Sequence, residues 1–289
     1  QPIRNLTQTA RKIEVERMDK RIEVPPAQDE LSEIALTFNH MLDRLERGFN
    51  QQQRFVSDAS HELRTPVTVI LGYSDLLARW GRSDAKILEE GITSIRSEAE
   101  DMQDLIEKLL FLARADQKRQ ILHKDFVHLD ELVDDAVRKM KLVAKEHTVQ
   151  IAVNEPGIIY ADPATMRQMM RIFLENAVKY TPAGGHIAVS SRRLPEKGCM
   201  ELTFADDGIG IAQEDKDKIF ERFYRADSAR TKKADSIGGT GLGLSIASWI
   251  AEQHEIEIAV ESELDKGTKF ILTIPLAEDD ESDTSDKEG

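Results

Sequence analysis

Cysteine, basic charge and long apolar runs are all scarce in these 289 residues. Cys199 is the only cysteine, so no internal disulfide can form and a reducing compartment fits best. Lys and Arg total 39 against 53 Asp and Glu, a formal charge of −14 at pH 7. That deficit argues against wrapping a phosphate backbone, so nucleic acid is not an expected partner. No apolar run approaches the ~18 residues of a membrane-spanning helix, and the stretch as given reads as soluble. Two nucleotide-binding signatures are also missing. The glycine-rich stretch 238–245 contains no Gly-Lys-Ser/Thr, so it is not a Walker loop. No strand leads directly into it, so it is not a Rossmann fingerprint either.

What is present begins with hydrophobic residues at 40% of a chain long enough for about two domains. Its organising stretch is Phe55-Val56-Ser57-Asp58-Ala59-Ser60-His61-Glu62-Leu63-Arg64-Thr65-Pro66-Val67. Apolar residues at Val56, Ala59, Leu63, Val67, Ile70, Tyr73 and Leu77 alternate three-four, the spacing of a helix packed in a bundle. At roughly 100° per residue, Ala59 and Leu63 centre that seam and His61 lies about 180° away, aimed at water or a visiting partner. Thr65 shares the His61 face and Glu62 is adjacent. Pro66 lacks an N–H and crowds the Glu62 carbonyl, so a bend is expected one turn past the histidine.

Upstream, a helical run through Ala10 and Ile13 leads to Pro25-Pro26, and a second helix starts at Asp29-Glu30 with a seam of Leu31, Ile34, Phe38, Met41 and Leu45. Downstream, Gly81 should stop the histidine helix and Ser83 or Asp84 should cap the next. That helix carries Leu88, Ile92, Ile95, Ala99, Met102, Ile106, Leu109 and Ala113 in the same alternation. One hairpin cannot bury so broad a stripe, and two copies forming a four-helix bundle would, so a homodimer is expected.

After Asp116-Gln117-Lys118 the periodicity changes. Strand candidates at 148–153, 186–193, 200–204, 257–262 and 268–274 interleave with helices near 129–146, 163–180 and 241–254. They read as an α/β sandwich, one mixed sheet covered on one face by helices. Leu264-Asp265-Lys266-Gly267 reads as the turn of a hairpin.

Four separated segments of this region carry chemistry. Asn176, Lys179 and Tyr180 share one helix face, offering an amide oxygen for hydrated Mg2+, an ammonium for phosphate and a ring for a base. Asp206-Asp207-Gly208-Ile209-Gly210-Ile211 follows a strand, placing a carboxylate where it can accept from an adenine amino group, beside glycines that let backbone approach the base. Ile219-Phe220-Glu221-Arg222-Phe223-Tyr224-Arg225 precedes Arg230, Lys232 and Lys233, a basic cluster in an acidic chain. Gly238-Gly239-Thr240-Gly241-Leu242-Gly243-Leu244-Ser245 runs into a helix whose first N–H groups suit phosphate.

The His61 stretch resembles the H-box of bacterial sensor histidine kinases. Residues 29–41 with the early proline resemble a HAMP relay domain. The four later segments, in order, resemble the N, G1, F and G2 boxes of the histidine-kinase ATP-binding domain, the Bergerat fold shared with gyrase, Hsp90 and MutL. Gly267-Thr268-Lys269-Phe270 resembles its closing Gly-Thr-x-Phe element.

The resemblance covers about residues 1–276. It implies a HAMP domain at 1–48, a dimerisation and histidine phosphotransfer domain at 49–118 and a catalytic ATP-binding domain at 119–276, followed by a disordered acidic tail at 277–289. The architecture would thus be an all-α dimeric coiled coil and four-helix bundle followed by the α/β sandwich. HAMP modules usually follow a transmembrane helix, so the resemblance implies the cytoplasmic portion of a bacterial cell-membrane protein, with its sensor region upstream.

The resemblance further implies that His61 takes the γ-phosphate of Mg-ATP, with Glu62 orienting the ring or taking its proton, and passes it to an aspartate of a response regulator. Thr65 would align water for dephosphorylating that regulator. Asn176 would hold Mg2+, Lys179 would meet phosphate, Tyr180 would pack near adenine and Asp206 would read its amino group. Gly208, Gly210, Phe220, Gly239, Thr240, Gly241, Leu242, Gly243 and Thr268 would complete the nucleotide site. Arg225 would touch the γ-phosphate region and residues 220–240 would form a lid.

One position departs from the pattern. Many family members carry a second Asn one turn before the metal-binding one, and this chain has Ile172 there. It also lacks the glutamate that gyrase-type ATPases use at that position to activate water. Steady ATP hydrolysis of that type, or a non-catalytic dimeric scaffold that binds nucleotide without phosphorylation, are the competing readings.

Overall fold

Three-four apolar spacing sustained over dozens of residues gives the N-terminal region a pair of long helices, and shorter alternating runs give the C-terminal region a sheet. The computed structural model describes residues 21–22, 24, 30–81, 84–226 and 239–277. The expected helix through Ala10 and Ile13, the Pro25-Pro26 connector, the basic cluster at 230–233, Gly238 and the acidic end from 278 lie outside the described residues. The chain divides into two compact units, 1–98 and 99–289.

In the first unit, α1 spans Glu30–Trp80 and its helical assignment continues through Pro66. Gly81 ends it, its N–H donating to the Leu77 carbonyl at 3.0 Å. Asp84 then caps α2 (Ala85–Asp116), accepting from the N–H groups of Lys86 at 2.9 Å and Ile87 at 3.3 Å. The two helices meet closely at this turn: a Cβ on Gly91 would lie 2.7 Å from the Leu77 side chain.

The buried stripe of α1 near its start is Ala35 and Leu42, with half-buried Asn39 between them, not the expected Ile34, Met41 and Leu45, which are exposed. Asn39 explains the offset, because its amide accepts from Ile22 N–H (2.8 Å) and donates to the Ile22 carbonyl (2.9 Å). The 35–42 stripe therefore faces the preceding segment of the same chain. Farther along, the expected seam is only half-buried at Ala59, Leu63, Ile70, Tyr73 and Leu77, and Val56 and Val67 are exposed. Leu88 and Ile92 of α2 are exposed as well.

The second unit holds the C-terminal half of α2, where Leu105, Leu112 and Ala115 are buried while the expected Ile106 is exposed. Past α2, Lys118 adopts φ 53° and Arg119 N–H caps the Arg114 carbonyl at 2.9 Å. The elements that follow are β1 (Asp125–His128), α3 (Leu129–Val143), β2 (Thr148–Asn154), β3 (Ile158–Ala161), α4 (Pro163–Tyr180), β4 (His186–Leu194), β5 (Cys199–Asp206), α5 (Gly243–Gln253), β6 (Glu257–Glu263) and β7 (Gly267–Pro275). Five strands form a mixed sheet in the order β2-β4-β5-β7-β6, with β2 and β4 parallel and the other pairs antiparallel.

The expected hairpin at 264–267 joins β6 to β7, with Glu263 opposite Gly267. The sequence did not announce β1 and β3, which pair antiparallel as a separate two-stranded ribbon. Each is four residues long, too short for alternation to be distinctive.

Helices α3, α4 and α5 pack side by side, α3 against β2, α4 against β5 and α5 against β6. The core between them is dense in aromatics and methionine. Phe173 of α4 stacks on Phe204 of β5 (centroids 5.3 Å apart) and tilts against Phe270 of β7 (5.0 Å), and Met166, Met169 and Met170 are fully enclosed. Truncating a side chain as enclosed as Phe173 to alanine costs about 3–5 kcal/mol. This packing fixes which face of α4 points away from the sheet.

Candidate functional site

That outward face of α4 forms one wall of a cavity of about 1210 Å3. The helix begins where Asp162 caps it, its Oδ1 accepting from the N–H groups of Ala164 and Thr165 at 2.9 Å each, with Pro163 at its first position. It ends at Tyr180 because Thr181 precedes Pro182 and is held in an extended conformation. Asn176, Lys179 and Tyr180 all line the cavity. Lys179 Nζ lies 4.8 Å from the Tyr180 ring centroid. Asn176 Nδ2 is buried with no partner, a donor that is costly to leave unpaired and is suited to an oxygen-rich ligand.

Asp206 stands at the end of β5, facing the same space. Burial pushes its carboxyl above the usual range, the N–H groups of Gly208 (2.9 Å) and Thr268 (3.3 Å) oppose that, and the Asp207 charge adds to it. Its neighbour behaves oppositely. Asp207 accepts from His186 N–H at 2.7 Å and pairs with His186 Nδ1 at 3.0 Å, which holds it below the usual carboxylate range. Two adjacent carboxylates thus differ, one suited to meeting a ligand and one fixed in the scaffold.

Gly210 lines the cavity, but its lack of a side chain serves the protein's own packing. At φ 70°, a Cβ there would fall 2.0 Å from the Glu263 carbonyl oxygen. Gly208 is buried and does not line the cavity; its N–H donates to Asp206. Gly210 thus combines a place in the cavity wall with a backbone contact that only glycine permits.

Gly239, Thr240, Gly241 and Gly243 line the opposite end, where α5 begins with no side-chain cap on its first N–H groups. Leu242 does not line the cavity; it is fully buried, and its carbonyl accepts from Ile246 N–H and the Ser245 hydroxyl. Thr268 and the exposed Arg225 line it, whereas Phe220 is half-buried and does not. Ile172 also forms part of the wall and, 5% exposed, packs toward Gly243, so this position supplies no polar donor.

Several wall residues were not anticipated. Gln168, Arg171 and Glu175 continue the Asn176–Lys179 stripe up α4 at three-four spacing, a signal the sequence did contain. Glu107, Lys108, Phe111 and Arg114 come from α2, and no local pattern could assign them to a nucleotide-sized cavity. Phe111 meets Trp249 of α5 edge to face, with centroids 5.2 Å apart. Arg222 forms a two-pronged ion pair with Asp116 at 2.7 and 2.5 Å.

On α1, in the other unit, His61 and Thr65 are exposed and Glu62 is half-buried. The spacing expected that exposure. Among the described residues, no helix is long and apolar enough to cross a membrane.

Three family models match the chain: HAMP domain at 1–47, His Kinase A (phospho-acceptor) domain at 51–118, and Histidine kinase-, DNA gyrase B-, and HSP90-like ATPase at 161–278. The sensor histidine kinase YkoH of Bacillus subtilis is 39% identical over 272 residues, covering 94% of this chain and 58% of the relative. The signal transduction histidine-protein kinase ArlS of Staphylococcus aureus is 34% identical over 270 residues, covering 93% of this chain and 59% of the relative. The chain thus spans somewhat over half the length of these curated relatives. Among solved structures, full-length ShkA in complex with AMPPNP matches with a TM-score of 0.56 and 26% identity, over 78% of this chain and 46% of that one. With three family models in this order and relatives aligned along nearly the whole chain, the chain belongs to the HAMP-containing bacterial sensor histidine kinases.

Proposed function

We propose that the chain is an ATP:protein-histidine phosphotransferase whose phosphoacceptor is His61. The observation that carries this reading is a pairing within one chain. An exposed histidine, flanked by Glu62 and one turn from Thr65, accompanies a separate cavity lined by Asn176, Lys179, Asp206, Thr268 and the start of α5. The AMPPNP complex of ShkA supports ATP as the nucleotide.

Asp206 would accept from the adenine amino group, Tyr180 would flank the base, and Lys179, Arg225 and the first N–H groups of α5 would face the phosphates. The buried, unpaired Asn176 Nδ2 would donate to a phosphate oxygen. Its Oδ1 would hold a Mg2+ carried largely by phosphate and water, which would neutralise charge on the transferring group.

In the transfer, His61 Nε2 forms a bond to the γ-phosphorus as the bond to the bridging oxygen breaks and ADP leaves. Glu62 takes the imidazolium proton. The phosphoryl group then passes to an aspartate of a response regulator, and Thr65 positions water for the reverse regulation.

A homodimer is the working assembly. Val56, Val67, Leu88 and Ile92 are exposed in one chain, and a second hairpin would cover them in a four-helix bundle. The membrane-associated HAMP arrangement, with functional divisions at 1–48, 49–118 and 119–276, belongs to the same proposal.

Incubation with ATP labelled on the γ-phosphate tests the reading. The product should be acid-labile and base-stable, the signature of a phosphoramidate, and His61→Gln should abolish it while leaving ATP affinity unchanged. Label that persists in His61→Gln, or that resists acid, overturns the assignment.

A further inference from the structure

We infer that Asp215 is a positioning residue for Arg225, acting through the hydroxyl of Tyr224. The inference rests on the reading that Arg225 faces the γ-phosphate.

Between β5 and α5 the described chain is turn after turn, with no sheet or long helix to hold it. Asp215 sits in the first of these turns. Its N–H donates to the Ala212 carbonyl at 3.0 Å, and its own carbonyl accepts from Lys218 and Ile219 N–H at 2.9 and 3.0 Å. Its side chain then reaches nine residues along: Tyr224 Oη donates to Asp215 Oδ1 at 2.7 Å, within the range of a hydrogen bond to a carboxylate. Asp215, Tyr224 and Arg225 all line the cavity.

The backbone beneath Tyr224 is pinned separately. Phe223 N–H donates to the Gly241 carbonyl at 3.0 Å, and Phe223 itself is held at φ 59°. Gly241, at φ 67°, comes so close that a Cβ there would stand 2.7 Å from the Phe223 carbonyl carbon and 2.8 Å from the Tyr224 carbonyl oxygen. The main chain before Arg225 is therefore tied to the start of α5, and the Tyr224 side chain is tied to the Asp215 turn. Two anchors on consecutive residues fix both the position and the rotation of the backbone entering Arg225. An arginine on an exposed stem, with its many rotamers, gains most from such a base.

The strut predicts a separation of effects. Losing it should leave the adenine end intact and disturb only what Arg225 reads, the terminal phosphate. The test uses the full chain with Asp215→Ala, Asp215→Asn, Tyr224→Phe, Arg225→Ala and the Asp215→Ala/Tyr224→Phe double variant. Calorimetry gives ADP and ATP affinities, labelling from γ-labelled ATP gives the transfer rate, and thermal unfolding reports integrity.

In Asp215→Ala and Tyr224→Phe, ADP affinity should stay within about twofold, the ATP-over-ADP preference should fall to that of Arg225→Ala, and labelling should slow about 10-fold or more. Asp215→Asn keeps an acceptor for the tyrosine hydroxyl and should recover most of the rate. The double variant should be no slower than either single one. If the parent prefers ATP and the two strut variants keep that preference and rate, the inference is wrong. A multiplicative loss in the double variant, or losses that track a lowered unfolding temperature and weakened ADP binding, would also overturn it. If the parent itself shows no ATP preference, the placement of Arg225 at the γ-phosphate fails, and this inference fails with it.

Discussion

Replacing Asp162 with alanine should loosen the whole of α4, although Asp162 does not line the cavity. The residue is 6% exposed, and its carboxylate takes three backbone donors. Oδ1 accepts from Ala164 and Thr165 at the start of α4, and Oδ2 accepts from His123 N–H at 2.7 Å. Its own N–H donates to His254 Nε2 at 3.0 Å, and His254 Nδ1 meets the Ile250 carbonyl at 2.8 Å. One aspartate therefore joins the segment after α2, the start of α4 and the end of α5.

Loss of a capping side chain costs about 1–2 kcal/mol. Leaving the His123 N–H unpaired adds about 1–3 kcal/mol. Together, Asp162→Ala should cost about 2–5 kcal/mol, and Asp162→Asn, which keeps one acceptor, should fall between it and the parent.

The charge predicts the pH dependence. Burial alone would raise this carboxyl, but the N–H groups of Thr165, His123 and Ala164 outweigh it and hold it below the usual range. A carboxyl lowered in the folded state contributes stability above its unfolded pKa of about 3.9 and loses that contribution as pH falls through the folded value. At pH 7 the contribution is complete.

The assay is urea unfolding in a Trp80→Phe background, where Trp249 on α5 is the remaining tryptophan and reports the catalytic unit. With a slope of about 2 kcal/mol per molar urea, Asp162→Ala should move the midpoint down by about 1–2.5 M. The parent's excess over the variant should shrink only below about pH 4. A shift under about 0.3 M at pH 7, or an excess already fading near pH 6, would refute the account of the cap.

Three further outcomes follow from the same geometry. A nucleotide donating to Asp206 favours its ionised form, so binding should release a proton. ATP affinity should then fall on acidification from a pH above the ordinary carboxylate range, as calorimetry in buffers of different ionisation heat can show, and Asp206→Asn should flatten the profile. Ile92→Asp places a charge on a side chain that is 54% exposed in the single chain; sedimentation should show monomers with the catalytic unit folded, and an unaffected dimer would move the interface elsewhere. Thr65→Ala should keep His61 labelling within a few-fold while slowing dephosphorylation of the regulator about 10-fold or more, and equal loss of both would assign Thr65 a structural role beside Pro66.

Where a signal was local, the sequence carried it well. Asp162-Pro163 announces the start of α4 and Thr181-Pro182 its end, and both are chemical instructions written in adjacent residues. The exposure of His61 followed from its place opposite Ala59 and Leu63. The stripe holding Asn176, Lys179 and Tyr180 was legible for the same reason, and its extension through Gln168, Arg171 and Glu175 could have been read from the same period. The β1–β3 ribbon was not legible, because four-residue strands draw their identity from a partner 30 to 36 positions away. Nor was the burial of Ala35 and Leu42 over Ile34 and Met41, since Asn39 reaches back to Ile22 and turns that face inward.

By itself the sequence determined the helix periods, the caps, the turn at Gly267 and the chemical inventory of His61, Asn176, Lys179 and Asp206. These depend on residues a few positions apart, where backbone geometry leaves few choices. Only the tertiary structure decided that Asp206 is the half-buried carboxylate and Asp207 the exposed one, that Gly210 makes room for the Glu263 carbonyl, and that Asp215 reaches Tyr224. Each of those outcomes turns on which surfaces are removed from water and which backbones touch. That is a property of packing between distant segments, and no local pattern encodes it.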